Sequence, residues 1–197
     1  MKKNNVKKVI VVLLAAVMLV GCSIGATLAW LADKTESITN TFTSSDINIT
    51  LKETKQEGGT ELANSYKMVP GGTITKDPVV TVVAGSEACW LFVKLDKSDN
   101  YDTYLEEYSL DAFVGWQSVP ENAGVYYIEV SADAAKAGKT YQVLTDNSLT
   151  VKTSVTKANM EAIKSSDQPT LTITAYAVQQ LGFSTPKAAW DEAKKLG

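Results

Sequence analysis

The feature that most constrains the fold is a series of short β-type segments between about residues 47 and 179. Ile47, Ile49 and Leu51 alternate with polar residues, the period-two pattern of a half-buried strand. The apolar run from Cys89 to Leu95 is typical of a central strand, and Pro78 indicates an edge or a bulge. Other β-type segments cover residues 73–83, 124–130, 140–144, 149–152 and 169–179. Turn residues separate them at Pro70-Gly-Gly72, Ala84-Gly85 and Asp146-Asn147. This pattern predicts an all-β fold, an antiparallel β-sandwich.

Two short accessory helices are predicted beside the strands. Residues 156–164 place apolar side chains at helical spacing behind Thr156, which suits a helix cap. Residues 184–195 combine a hydroxyl cap, a proline near the first helical position and terminal lysines. Trp190 in this second helix is expected to anchor it on the sandwich.

A small acidic loop precedes a group of tyrosines. The loop contains Asp96, Asp99, Asn100 and Asp102, but its spacing differs from that of an EF-hand and it lacks the turn glycine. We expect a solvated loop, with calcium binding as the alternative. The tyrosines at positions 101, 104 and 108 are spaced to form one face laid on the core.

The first 29 residues are organised like a secretory signal peptide. Four lysines precede an apolar stretch from Val9 to Val20, and small residues follow it. An apolar core of about a dozen residues is short for a bilayer span. Thr27 and Ala29 occupy the −3 and −1 positions of a cut before Trp30. A cut after Ala32 is an alternative that places the bulkier Trp30 at −3. We therefore predict a signal-peptide helix over residues 1–29 and a secreted protein.

A lipoprotein signal is the competing interpretation of the same leader. The stretch Leu19-Val-Gly-Cys22 resembles a lipobox, in which the cysteine is acylated and becomes the first residue. Lipidation of Cys22 would keep the protein at the membrane through a lipid anchor. Otherwise membrane contact is expected only before cleavage.

Composition excludes several classes of function. Removing residues 1–29 from the 197-residue chain leaves 168 residues, with 15 lysines against 22 acidic residues and a net charge of about −7. This charge opposes binding to nucleic acid or to anionic membranes. The sequence contains no histidine, so it has no Ser-His-Asp relay and no HExxH zinc helix. Cys89 is expected to be a buried hydrophobe. No catalytic residue, metal site or cofactor is predicted.

Several segments together resemble the TasA/camelysin family of secreted matrix proteins of Gram-positive bacteria. They are residues 25–33 with 39–43, Tyr66–Pro78, Ala84–Lys94, Gly124–Tyr127 and Leu171–Gln179. The resemblance implies a jelly-roll-like β-sandwich and a leader that is removed by a SipW-type signal peptidase. It further implies a structural subunit of extracellular fibres or biofilm matrix that forms a head-to-tail homopolymer.

The resemblance also implies a role for residues 30–43. In this family the segment freed by signal cleavage becomes a donor strand that completes a sheet of the neighbouring subunit. Trp30, Ile38 and Phe42 are the apolar side chains available for that role, ahead of a sandwich domain over residues 44–197. The alternative is that residues 30–43 are a loose terminus, as many termini are.

Two other functions compete with the fibre subunit. Camelysin relatives are often described as metallopeptidases, but the chain could offer zinc only carboxylates and one thiol. A monomeric surface lipoprotein that binds a ligand is the second competitor.

Overall fold

Antiparallel strands dominate the part of the chain that the structure describes. The computed structural model describes residues 8, 10, 46–54, 59–61 and 63–196. The strands are β1 (Ile49–Lys52), β2 (Thr73–Thr75), β3 (Val79–Val82), β4 (Cys89–Lys97), β5 (Gln117–Ser118), β6 (Val125–Val130), β7 (Lys139–Gln142), β8 (Ser148–Thr150) and β9 (Leu171–Gln179). The α-helices are α1 (Tyr101–Tyr104), α2 (Ala132–Ala137), α3 (Lys157–Glu161) and α4 (Pro186–Ala193).

The strands form three antiparallel sheets with the orders β1-β3-β7, β2-β8 and β5-β6-β4-β9. β4 pairs with β6 on one side and with β9 on the other, which confirms the predicted central strand. The all-β class is confirmed by this arrangement.

Alternate residues of β4 serve two separate cores. Cys89, Leu91 and Val93 belong to the larger core, which also contains Val80 and Val82 from the sheet β1-β3-β7. The larger core therefore lies between two sheets, as in a β-sandwich. Trp90 and Phe92 point to the other face and pack with residues of α4 in the smaller core.

Pro78 divides a segment that the sequence suggested was one strand. Residues 73–83 form β2 and β3, which belong to different sheets. Pro78 lies fully buried between them and cannot donate a backbone hydrogen bond. Its carbonyl accepts from Val143 N at 3.0 Å, next to the β3-β7 pair, and the chain passes from one sheet to the other between Thr75 and Val79.

The helices show the expected caps and one expected anchor. Thr156 caps α3 in a reciprocal capping box with Asn159, and Thr185 caps α4. The ring centroid of Trp190 lies 5.5 Å from that of Phe92 and 5.2 Å from that of Tyr176. The predicted anchoring of the last helix by Trp190 is confirmed.

Two further helices, α1 and α2, were not predicted from the sequence, which indicated only α3 and α4 beside the strands. The helix α2 lacks large apolar residues, and α1 is a single turn. Tyr101 in α1 is nevertheless buried in the larger core, with Tyr104 and Tyr108 packed against that core as predicted.

Candidate binding groove

The outer edge of β9 carries backbone groups that pair with no described residue. Gln180 N donates to Ala88 O, and Ser98 N donates to Thr170 O, so even-numbered residues of this strand face β4. In an antiparallel pair the backbone groups of alternate residues point in opposite directions. The odd-numbered residues therefore direct their N–H and C=O groups away from the sheet. In the described residues nothing pairs with this edge: it comprises Leu171, Ile173, Ala175, Ala177 and Gln179.

The outer edge of β1 is free in the same sense. Val83 N donates to Asn48 O, so even-numbered residues of β1 face β3. Ile49 and Leu51 direct their backbone groups outward, and no described residue pairs with them. The next outward group, Glu53 N, donates to Glu61 O at 3.0 Å and ends the free edge.

These two free edges border one groove. β1 and β9 lie close together, and a cavity of about 740 Å³ lies beside them at the Leu171 end of β9. Its apolar lining comes from both sheets and from the β2-β8 pair: Leu51, Met68, Ile74, Leu149, Leu171 and Ile173. Ile163, which follows α3, and Pro169 are half-buried and also line the cavity, and we call these two residues its rim. The groove therefore offers an apolar floor next to unpaired strand edges.

A buried ion pair lies in the wall of the groove. Lys76 Nζ lies 2.5 Å from Glu53 Oε1, and only 11% and 13% of the two side chains are exposed. Tyr66 OH donates to Glu53 Oε2 at 3.1 Å, and Asn64 Nδ2 donates to the same oxygen at 3.3 Å. Burial, followed by the negative charge of Glu53, raises the pKa of Tyr66 to about 12. A few placed polar groups in an apolar groove orient what binds there.

The remaining long edges are protected. β5, at the opposite edge of the β4 sheet, has two residues. At the outer edge of β7, Trp116 Nε1 donates to Gln142 O at 2.8 Å. Short strands and side-chain covers are the means by which proteins prevent unwanted strand pairing. The edge of β9 has neither protection in the described part of the chain.

Lys97, the last residue of β4, forms ion pairs with one carboxylate of the acidic loop and with a glutamate beyond it. Lys97 Nζ lies 3.0 Å from Asp102 Oδ1 and 2.6 Å from Glu107 Oε2. The same atom lies 5.1 Å and 5.2 Å from the ring centroids of Tyr101 and Tyr108. Within residues 46–54, 59–61 and 63–196, no three or more Asp, Glu, Cys or His side chains are grouped to hold a metal ion.

Cys89 is a buried core residue, as predicted. The side chain is fully buried in the larger core. Burial raises the pKa of its thiol to about 11, because the thiolate would lose its hydration. Its environment disfavours the nucleophilic form.

The residues predicted to act in processing and assembly lie outside the described residues. They are Cys22, Thr27, Ala29, Trp30, Ile38 and Phe42. No family model, curated protein or solved structure matches the chain. Among the residues that the structure describes, no helix has the length and apolar character required to cross a membrane.

The groove itself was not predicted from the sequence. The sequence predicts a strand over residues 169–179, but not that no described residue pairs with its outer edge. No local pattern connects Glu53 with Lys76, which are separated by 22 residues of chain. Both features depend on how distant segments meet.

Proposed function

We propose that this protein is a secreted structural subunit of extracellular fibres, in which a strand from one copy adds to the free edge of β9 in the next copy. The supporting observation is the long edge of β9, which pairs with none of the described residues and lies beside an apolar groove. The resemblance to the TasA/camelysin family supports the same function. In this proposal the fold is a jelly-roll-like sandwich that the added strand completes.

The groove has the two properties that strand addition requires. Outward backbone groups of β9 supply main-chain hydrogen bonds for an incoming strand, and the apolar floor accepts alternate side chains. Leu171 and Ile173 are only partly buried, although they pack against the larger core. An added strand would cover both.

The occupant that we propose is the segment 30–43 of a second copy. Trp30, Ile38 and Phe42 all have even numbers, so an extended segment presents them on one face. Burial of each such side chain contributes roughly 1.5–3 kcal/mol. The segment lies directly behind the predicted cut by a SipW-type peptidase, and cleavage would therefore release it for assembly.

The groove and the start of the described domain at Asp46 lie at opposite ends of β9, which favours a head-to-tail filament. The groove lies at the Leu171 end, whereas Asp46 lies at the opposite end, where Asp46 O accepts from Glu87 N at 3.1 Å. Gln180 N, just after β9, donates to Ala88 O at the same end. The donor strand leaves one end of its own copy and binds the opposite end of the next copy. Such a heterologous contact can repeat without forming a closed ring, which gives a filament.

The test compares the chain 30–197 with the chain 44–197, which keeps every strand and helix described above. We expect fibres by electron microscopy from the longer chain and folded monomers from the shorter one. A peptide of residues 30–43 should bind the shorter chain, and the same peptide with Phe42→Asp should not, because it places a charge in an apolar groove.

Three outcomes would contradict the proposal. Normal fibres from the chain 44–197 would show that residues 30–43 are not needed as a donor strand. Equal binding of both peptides would show that the apolar groove does not accept the side chain of Phe42. A chain 30–197 that stays monomeric while its own segment blocks the peptide would mean that the strand folds back within one copy.

A further inference from the structure

The end of the sandwich where the chain enters β1 carries an exposed apolar surface. Leu181 is 86% exposed and Val83 is 39% exposed. Beside Leu181 lies an open hollow of about 720 Å³ that is lined by Glu87, Ala88 and residues 179–184. We call Val83, Glu87, Ala88 and residues 180–184 the entry face. In the described part of the chain nothing covers Leu181.

Hydrogen bonds hold the loop that presents Leu181. Phe183 N donates to Gln180 O at 3.2 Å, and Gln179 Nε2 donates to Leu181 O at 3.1 Å. Trp90 Nε1 donates to Phe183 O at 3.3 Å, which ties the loop to the smaller core. The apolar side chain is therefore projected from a fixed loop, which lowers the entropy lost when it binds.

The occupant of this face follows from the length of chain that precedes Asp46. The proposed donor segment ends at Thr43, and only Ser44 and Ser45 separate it from Asp46. An extended chain spans at most about 3.6 Å per residue, so this connection reaches roughly 11 Å. Asp46 O is bonded to Glu87 N of the entry face. A neighbour that holds the donor segment up to Thr43 must therefore come within about 11 Å of Asp46.

We propose that the entry face is a second, rigid contact between copies, and that Leu181 packs against the groove rim of the neighbouring copy. That rim carries half-buried apolar residues, Ile163 and Pro169. The inference rests on the proposed function, because the donor segment is what brings the two ends together. The donor strand tethers the neighbour, and the entry face fixes its orientation.

The test introduces Leu181→Asp into the chain 30–197. We expect the protein concentration needed for fibre formation to rise about tenfold or more, because a contact worth a buried leucine is lost. Binding of the peptide 30–43 to the chain 44–197 should be unchanged by Leu181→Asp, because Leu181 follows β9 and lies outside both the free edge and the groove. Phe113→Asp is the matched control: Phe113 is fully exposed beside β7 and is not part of the entry face, so fibres should form as in the parent.

A labelling experiment reports the contact directly. Leu181→Cys should react with a maleimide in the chain 44–197 and be protected in fibres of the chain 30–197, whereas Phe113→Cys should react in both. Cys89 is fully buried and does not compete. Equal labelling of Leu181→Cys in monomer and fibre, or unchanged assembly of Leu181→Asp, overturns the inference while peptide binding leaves the proposed function standing. Failure of the peptide to bind would instead refute the proposed function, and this inference with it.

Discussion

Lys76 Nζ and Glu53 Oε1 lie 2.5 Å apart in the wall of the groove, and together they join the end of β2 to the end of β1. Each residue follows a strand of a different sheet, so the ion pair connects two sheets at the place where a partner strand is proposed to bind. A buried pair is costly to break because the remaining charge loses its compensation.

Breaking this pair should destabilise the protein. Lys76→Met leaves Glu53 largely buried without its cation, and we expect a loss of about 3 kcal/mol in the free energy of unfolding. The double variant Lys76→Met with Glu53→Leu removes both charges and should recover most of that loss. Urea denaturation of the parent, both single variants (Lys76→Met and Glu53→Leu) and the double variant measures the coupling. Additive losses would show that the pair contributes nothing.

A proline on the free edge should block strand addition without unfolding the sheet. Ala175 directs its N–H outward, so Ala175→Pro removes no bond to β4. We expect a cooperative thermal transition and loss of binding to the peptide 30–43. Thr174→Pro is the matched control, because Thr174 N faces β4 and its loss should lower the melting temperature. Full peptide binding by Ala175→Pro would place the acceptor edge elsewhere.

Stability should fall in alkaline solution through the thiol of Cys89. Burial raises its pKa from 9.0 to about 11, so the folded state favours the protonated form. The resulting stabilisation is complete below pH 9 and is lost as the pH rises from 9 to 11. Cys89→Ala should be less stable at pH 7 but should lose less stability between pH 9 and 10, below the range in which Tyr66 titrates. Parallel stability profiles for the two proteins would contradict this assignment.

The processing of the leader can be read from intact mass. The extracellular protein should begin at Trp30 without modification, since Thr27 and Ala29 satisfy the small-residue rule for cleavage. Ala29→Arg should abolish release and leave the precursor at the membrane. A diacylglyceryl mass on Cys22 would establish the lipoprotein alternative.

Peptidase activity discriminates the fibre subunit from the camelysin-type alternative. The mature chain should not cleave casein, because it contains no histidine to bind zinc or relay a proton. Casein cleavage that a chelator abolishes and added metal restores would replace our proposal. If casein cleavage co-purifies with the protein through repeated chromatography but is lost in Glu53→Leu, the peptidase site would lie in the groove.

The sequence by itself determined the local elements of this protein. Period-two alternation marked β1, the apolar run marked β4, and the Asp146-Asn147 turn was predicted from residues that adopt positive φ readily, here 52° and 53°. Trp190 was identified as an anchor because a large apolar residue on a capped helix needs a surface to cover it. These features depend on neighbouring residues, which the sequence shows directly.

Only the tertiary structure decided which strand edges lack a partner among the described residues. β9 lies next to β4, although about 80 residues separate the paired positions in the sequence, and β1 pairs only with β3 among the described strands. The order of strands in a sheet depends on how distant segments pack into the two cores. The residue pattern within one strand is compatible with either an edge position or a central position in the sheet. The groove, its buried ion pair and the exposure of Leu181 arise from that choice, because each is formed where distant segments meet.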